Sequence, residues 1–472
     1  MSHSKSPTLG AALFCVAFLI VSMSLSVLWL DIPIHITLLV SMSVTVVVAL
    51  CYGNTWERVA ACIEDGGRIA ILPTLVMMII GCVIGSWIAS GTVPVIIYWG
   101  LRLISPEMFL VTACAVCALT SVSCGSSWST AGTVGVALMG IGGGLGIQPA
   151  MTAGAVISGA YLGDKMSPMS DTTNLAPAVA EAELFDHIRS MMYTSVPAFL
   201  ITLGFYFLLG RRFVGQELDL AGISATMRVI ETTYNMNPVV FFPPVLVIGL
   251  AIKKFPALPT LILACASAAL IAVFLQGESV TSITNTMMYG YTSQTGVAEI
   301  DKLLSRGGLQ SMLWTASLGI LGMIYGKIFE GTGILEVFMQ SLKRFTHSLF
   351  GLVTTTLGAT LLLNAATASQ ALTIVVGGRM FIAEYKAKNL LPQTLSRTLE
   401  DGGTLFSPLV PWSLCGVFMA GTLGVSTWKY IPYASFCWLC PLIAMIYAAT
   451  GKFFWKTGEI PSKMVYAAEG GA

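Results

Sequence analysis

The sequence predicts an all-α polytopic membrane protein made of two inverted-topology repeats interrupted by broken or re-entrant helices. Three observations carry that expectation. Of 472 residues, 55% are hydrophobic and only 10% charged, with a mean hydropathy of +0.81, against roughly 25% charged residues in soluble domains. Weakly similar stretches recur at a spacing of about 240 residues. A few charged residues, Asp164, Lys165 and Asp171 foremost, stand among glycines, prolines and hydroxyl side chains inside apolar sequence. A charge at membrane depth is costly, so each such residue is a functional candidate.

Taken in order, apolar runs close to the length that crosses a hydrocarbon layer cover Leu9 to Leu30, Ile32 to Cys51, Ile69 to Ala89, Met191 to Leu209, Phe255 to Leu275 and Ile431 to Ala449. With shorter runs between them, about ten to twelve spanning or partly spanning helices are expected. The first run follows MSHSKSP without a small-residue cleavage site, and a second comes at once, so it reads as a retained helix. Trp29, Trp56, Trp87, Tyr98, Trp99, Trp428, Tyr430 and Trp455 fall near predicted helix ends, where interfacial anchors belong. The polar stretches Arg211 to Asn237 and Glu278 to Arg306 are loop-sized, which leaves no room for a large soluble domain. A net charge of +1 offers no surface for nucleic acid.

The internal repeat places residues 8–210 in a first unit, 211–238 in a linker, 239–450 in a second unit and 451–472 in a cytoplasmic tail. Gly66, Gly81 and Gly85 align with Gly307, Gly322 and Gly326; Gly91 and Thr92 align with Gly331 and Thr332. Ser129, Ala131 and Thr133 align with Ser369, Ala371 and Thr373, and Ser167 and Pro168 with Ser407 and Pro408. If each unit crosses the membrane an odd number of times, the two are inverted. With both termini cytoplasmic, Arg58, Arg68, Lys253, Lys254, Lys343, Arg344, Lys452, Lys456 and Lys463 fall inside. Arg211, Arg212 and Arg228 fall outside, against the rule.

Four segments are expected to be broken: 120–133 and 163–174 in the first unit, 364–373 and 399–413 in the second. They are rich in hydroxyls and glycine, and Pro168, Pro408 and Pro411 remove backbone donors and disfavour helix in the preceding residue. Unwound backbone is tolerated in a bilayer only where protein or a wet cavity satisfies it. Its carbonyls, with hydroxyl and amide oxygens, suit a small hard cation such as Na+. Candidate ligands are Asp164, Ser167, Asp171, Thr172, Thr173 and Asn174; Ser126, Ser127, Ser129 and Thr130; Asn364, Thr367, Ser369 and Gln370; and Glu400, Asp401, Thr404 and Ser407.

Structural readings stand beside these. Asp171 suits a helix N-cap, Asp164 an ion pair with Lys165, and Lys165 snorkelling to water. The small residues suit helix contacts, and Glu400 and Asp401 suit a loop end. Gly81 with Gly85 and Gly322 with Gly326 read as close helix packing. The cysteines read as small buried apolar side chains in spite of the CxxC spacing at Cys114 and Cys437. His3, His35, His187 and His347 lie near predicted ends. No phosphate-binding glycine loop with its Lys, zinc-ligand helix or nucleophile elbow is present, so neither an enzyme nor an ATP-driven pump is expected, and no cofactor.

The stretch SGAYLGDKMSPMSDTTNLAPAVA, Ser158 to Ala180, closely resembles the signature of the NhaC family of sodium/proton antiporters. The glycine- and serine-rich segment before it and SPLVPWS, Ser407 to Ser413, are similar to that family too. The signature maps without gaps onto Asp164, Ser167, Pro168, Asp171, Thr172, Thr173 and Asn174. The resemblance implies an inverted-repeat fold with a scaffold and a mobile transport part, often dimeric, in the cell membrane. It further implies exchange of Na+ for H+. The expected mechanism has the two cations compete at one carboxylate centre, Asp171 foremost and Asp164 with it, Thr172, Thr173 and Asn174 supplying neutral oxygens, and Asp164, Asp171, Thr172 and Asn174 are the expected Na+ ligands. The alternative is coupling of Na+ or H+ to a small organic solute, since relatives exchange malate against lactate and others are suspected of moving amino acids. Ser126 to Thr130 and Asn364 to Gln370 would then line the solute pocket. A channel is a third, less favoured class, because broken paired helices suit alternating access.

Overall fold

The computed structural model describes residues 7–30, 32–213, 220–253, 255–297, 300–301 and 304–456. The expected tail beyond 456 and residues 214–219 of the expected linker lie outside them. The described residues are helical throughout and form no named strand. In order come α1 (Leu9–Leu25), α2 (Ile34–Cys51), α3 (Trp56–Ala89), α4 (Thr92–Leu103) and α5 (Pro106–Cys124). A helical run over 127–144 consists of α6 (Ser127–Thr130), a π turn (Ala131–Gly135) and α7 (Val136–Gly144). Then follow α8 (Pro149–Met166), α9 (Asp171–Ala180), α10 (Leu184–Gly210), α11 (Leu220–Thr233), α12 (Phe242–Ile252), α13 (Ala257–Phe274) and α14 (Val280–Tyr289). The remainder holds α15 (Leu309–Gly331), α16 (Ile334–Leu342), α17 (Leu349–Thr367), α18 (Gln370–Ala387) and α19 (Pro392–Leu399). A π turn (Glu400–Thr404) continues α19, and α20 (Leu414–Leu423), α21 (Thr427–Tyr430) and α22 (Ser435–Thr450) complete the chain.

Six helices among the described residues are long and apolar enough to cross a membrane, eight if each of two bent pairs is one span, and four further apolar helices have 10–17 residues. The protein is a multi-pass membrane protein. With the four shorter helices these spans make the ten to twelve spanning or partly spanning helices expected, counted among the described residues. The expected linker is largely α11, whose neighbour Tyr234 is buried and whose pairing with the following helix bends by 104°.

Glycines let the long helices meet backbone to backbone. A Cβ at Gly66 would strike Ile324 and one at Gly81 would strike Gly308, which instead donates its N–H to the Gly81 carbonyl at 2.7 Å. Gly322 and Gly326 lie flush against Ala368 and Thr367. The reading of these glycines as packing sites holds. Of the expected anchors, Trp29, Trp56 and Trp99 are exposed, whereas Trp87, Tyr98 and Tyr430 are buried and are no interfacial anchors. Trp87 and Tyr98 fill the core formed by the helices from α3 to α8. Tyr430 is drawn inward because its hydroxyl donates to the Pro408 carbonyl at 2.6 Å.

Candidate functional site: buried charges at four helix breaks

Each of the four segments expected to be broken contains a break. Helix α5 stops where Gly125 turns left-handed (φ 68°), and Ser126 caps the next helix by accepting from the Ser129 N–H at 3.2 Å. Helix α17 stops the same way at Ala368 (φ 52°), and Ser369 accepts from Leu372 N–H at 3.3 Å. The local geometry thus pairs Ser126 with Ser369, where sequence alignment paired Ser129 with it. Likewise Gly91 (φ 78°) matches Gly333 (φ 77°), each preceding a short helix, and not Gly331. Matching identities located the segments, but the turns themselves set the register.

Asp164 comes to the first break because Gly159 and Gly163 let α8 lie directly on the α5 backbone at Cys114 and Ser121. Its carboxylate is 8% exposed. Oδ1 accepts the Ser127 N–H at 2.7 Å and Oδ2 accepts the Ser127 hydroxyl at 2.5 Å. The carboxylate therefore faces the N-terminal end of the 127–144 run, where free N–H groups favour negative charge. Past Met166 the chain unwinds through Ser167 and Pro168 and restarts at α9 with Ser170 in the N-cap position. Thr172 and Thr173 both donate to the Asp164 carbonyl, at 3.1 and 2.6 Å, satisfying an end of α8 that would otherwise be orphaned.

Asp171 does not lie beside that carboxylate. It is exposed on the first turn of α9 and is not the cap, a place taken by Ser170. Asn174 is exposed too, and its Nδ2 donates to the Pro168 and Ser170 carbonyls, both at 2.8 Å. The four residues read as one Na+ cage are split: Asp164 inside, Thr172 on its carbonyl, Asp171 and Asn174 on the outer face.

Lys165 neither pairs with Asp164 nor reaches for water. Its ammonium is fully buried, paired with Asp401 and donating to Thr194 Oγ1 at 3.1 Å and Cys440 Sγ at 3.0 Å. Glu400 and Asp401 are correspondingly no loop end; they are fully buried in the π turn. Asn364 donates through Nδ2 to the Gly403 carbonyl at 2.9 Å, Thr367 donates to Leu363, and Gln370 Oε1 accepts from the Cys415 thiol at 3.1 Å. Thr404 and Ser407 are buried. The indole of Trp128 stacks on Phe418 of α20 with ring centres 4.1 Å apart, joining the first break to the second half of the chain.

Ser129 and Thr130 line a shallow cleft with Thr120, Ser123, Cys124 and Thr133, opposite Val247 and Ile248 of α12. Sequence reasoning missed Thr194, Cys440 and Arg397, a fully buried guanidinium over the Phe454 ring. Arg397 was within reach of the criterion applied to Asp164, an unexplained charge in an apolar chain. His187, expected at a helix end, is buried with Nδ1 2.7 Å from Ser396 Oγ. No group of three or more His, Cys, Asp or Glu side chains among the described residues is arranged to hold a metal ion.

A multi-pass helical protein whose broken helices gather buried carboxylates, an ammonium and hydroxyls has the make-up of an ion-coupled membrane carrier. The model of the Na+/H+ antiporter family matches residues 2–173 and 159–452, and the chain belongs to that family. It is 37% identical to the Na(+)/H(+) antiporter NhaC of Alkalihalophilus pseudofirmus, over 97% of this chain and 99% of the relative. It is 34% identical to the malate-2H(+)/Na(+)-lactate antiporter of Bacillus subtilis, over 97% and 98%. To the arginine/ornithine antiporter ArcD of Halobacterium salinarum it is 36% identical, over 96% and 95%.

Proposed function

We propose that the chain exchanges Na+ for H+ across the cell membrane by alternating access, with Asp164 as a carboxylate at which the two cations compete. The observation that carries this reading is the Asp164 side chain, buried where one helix ends and another begins and holding only two hydrogen bonds, both from Ser127. A carboxylate offers about four lone-pair positions, so capacity for a cation remains. Burial favours the protonated form and a bound cation favours the ionised one, so the two ligands oppose each other. Asp171, exposed at the start of α9 beyond the break, attracts cations toward it, and Thr172 and Thr173 keep lone pairs free beside the Asp164 carbonyl.

The matched turns at Gly125 and Ala368, and at Gly91 and Gly333, support two units of inverted topology moving against one another. Loop charges support cytoplasmic termini, and a homodimer accords with the family resemblance. In proteoliposomes carrying a pH dye, Asp164→Asn should abolish Na+-driven proton movement while the protein still inserts. Retained exchange would overturn the assignment. Apparent Na+ affinity should weaken as pH falls; a pH-independent affinity contradicts competition.

A second reading couples the ion to an organic acid or amino acid, favoured by the names of the malate/lactate and arginine/ornithine relatives. Counterflow of labelled malate or arginine, together with absence of solute-free Na+/H+ exchange, would establish it in place of the first.

A further inference from the structure

We propose that the π turn Glu400–Thr404 is a second binding locus for a small hard monovalent cation, separate from Asp164; the proposal rests on the reading of the chain as a Na+ carrier. Six buried oxygen atoms in this layer have no hydrogen-bond partner: both carboxyl oxygens of Glu400, Asp401 Oδ2, Thr404 Oγ1, Ser407 Oγ and Asn364 Oδ1. All five residues are 0% exposed. Folded proteins leave few buried polar atoms unpaired, and each calls for an explanation. Four of the six lie on the π turn, where Glu400 and Thr404, four residues apart, share one face while Asp401 turns to Lys165; a π turn inside a helix is itself frequent at functional sites.

The neighbouring positive groups point to partners elsewhere, although Nε and Nη2 of Arg397 are themselves buried without a hydrogen-bond partner. Lys165, from α8, is paired with Asp401 and leaves only the outer oxygen of that carboxylate unused. Arg397 precedes Glu400 on α19 but extends toward Phe453, whose carbonyl its Nη1 holds at 3.1 Å, and covers the Phe454 ring. His187 on α10 is turned to Ser396. Glu400 has no ion-pair partner among the described residues, and both of its carboxyl oxygens are buried. Asn364 presents its carbonyl oxygen because its amide nitrogen is spent on Gly403. Carboxylate, hydroxyl and amide oxygens are the ligand set a hard cation takes. Gly402 and Gly403 bring the turn flush against Thr360 of α17 and Ile374 of α18, which fixes the oxygens in place.

The test is binding of radioactive Na+ to the purified full-length protein in nanodiscs, at one pH, for wild type, Glu400→Gln, Thr404→Val and Asp164→Asn. Wild type should bind two Na+ per chain. Glu400→Gln should bind one, Thr404→Val should lose affinity at least fivefold for one of the two, and Asp164→Asn should retain the ion that Glu400→Gln loses. The proposal falls if Glu400→Gln and Thr404→Val bind as wild type does, or if Asp164→Asn binds no Na+ at all. Loss at Glu400→Gln with no change at Asp164→Asn would sustain this locus and overturn the one at Asp164. Thermal unfolding without Na+ separates a lost site from a lost fold, and Thr404→Val, which keeps shape and adds no charge, decides the matter if Glu400→Gln fails to fold.

Discussion

At the scale of single residues, the distribution of charges follows from helical geometry that the sequence already contains. Asp164 and Lys165 are consecutive on α8, so their side chains diverge by about 100° around the helix and cannot serve one another. Asp164 turns to Ser127 and Lys165 to Asp401. That these residues needed partners was legible; which partners was not, because Asp401 and Thr194 are distant in sequence and arrive only through the packing of α8, α10 and the π turn. The pair at Lys165 and Asp401 is 0% exposed on both sides, and removing one member of a buried pair typically costs about 3–5 kcal/mol. Lys165→Met and Asp401→Asn should each lose stability on that order in denaturant or thermal unfolding in detergent. The double variant should lose clearly less than the sum, since no uncompensated charge remains. Additive losses would mean that the ammonium and the carboxylate do not stabilise one another.

At the scale of elements, the breaks were legible from composition, from hydroxyls, glycines and Ser-Pro pairs in an apolar chain, whereas their position within each segment was not. Ala368 shows why. Left-handed backbone is the province of glycine, so an alanine at φ 52° gives no warning, while Gly125 at φ 68° does. The burial of Glu400 and Asp401 was equally obscured, because EDGG reads as a turn by itself and becomes a π turn only against Asn364, Thr360 and Ile374. The two left-handed positions make opposite predictions. Gly125→Ala adds a Cβ into the backbone of Met169 and Ser170 and adopts a conformation that costs a non-glycine residue about 1–2 kcal/mol. It should lower thermal stability and slow Na+-dependent exchange. Ala368→Gly removes that same backbone cost and should be neutral or stabilising by up to about 1 kcal/mol. Equal destabilisation by both changes would show that these turns are not the equivalent breaks their backbone suggests.

At the scale of the whole molecule, alternating access asks that one part of the chain slide past another, and the cleft beside the first break lies on such a seam. One wall is the end of α5 and the start of the 127–144 run, with Thr120, Ser123, Cys124, Ser129, Thr130 and Thr133; the other is α12, with Val247 and Ile248. The hydroxyls of this wall bond within their own helices, Thr120 to Val116, Ser123 to Leu119 and Thr133 to Ser129, so the contact with α12 can open without leaving hydrogen bonds broken, unlike the glycine-packed seam of α3 with α15, where Gly308 is bonded to Gly81. Cys124 is half-buried in this wall and Ile248 is 37% exposed opposite it. An Ile248→Cys variant in a Cys51→Ser background, treated with a reducible bifunctional thiol reagent, should therefore be joined across the cleft. Exchange in proteoliposomes should stop on cross-linking and return on reduction, while the same variant carrying Cys124→Ser should be unaffected. Full activity with the bridge in place would mean that α12 travels with the broken helix, and the moving boundary would have to be sought on the opposite side of the Trp128–Phe418 stack.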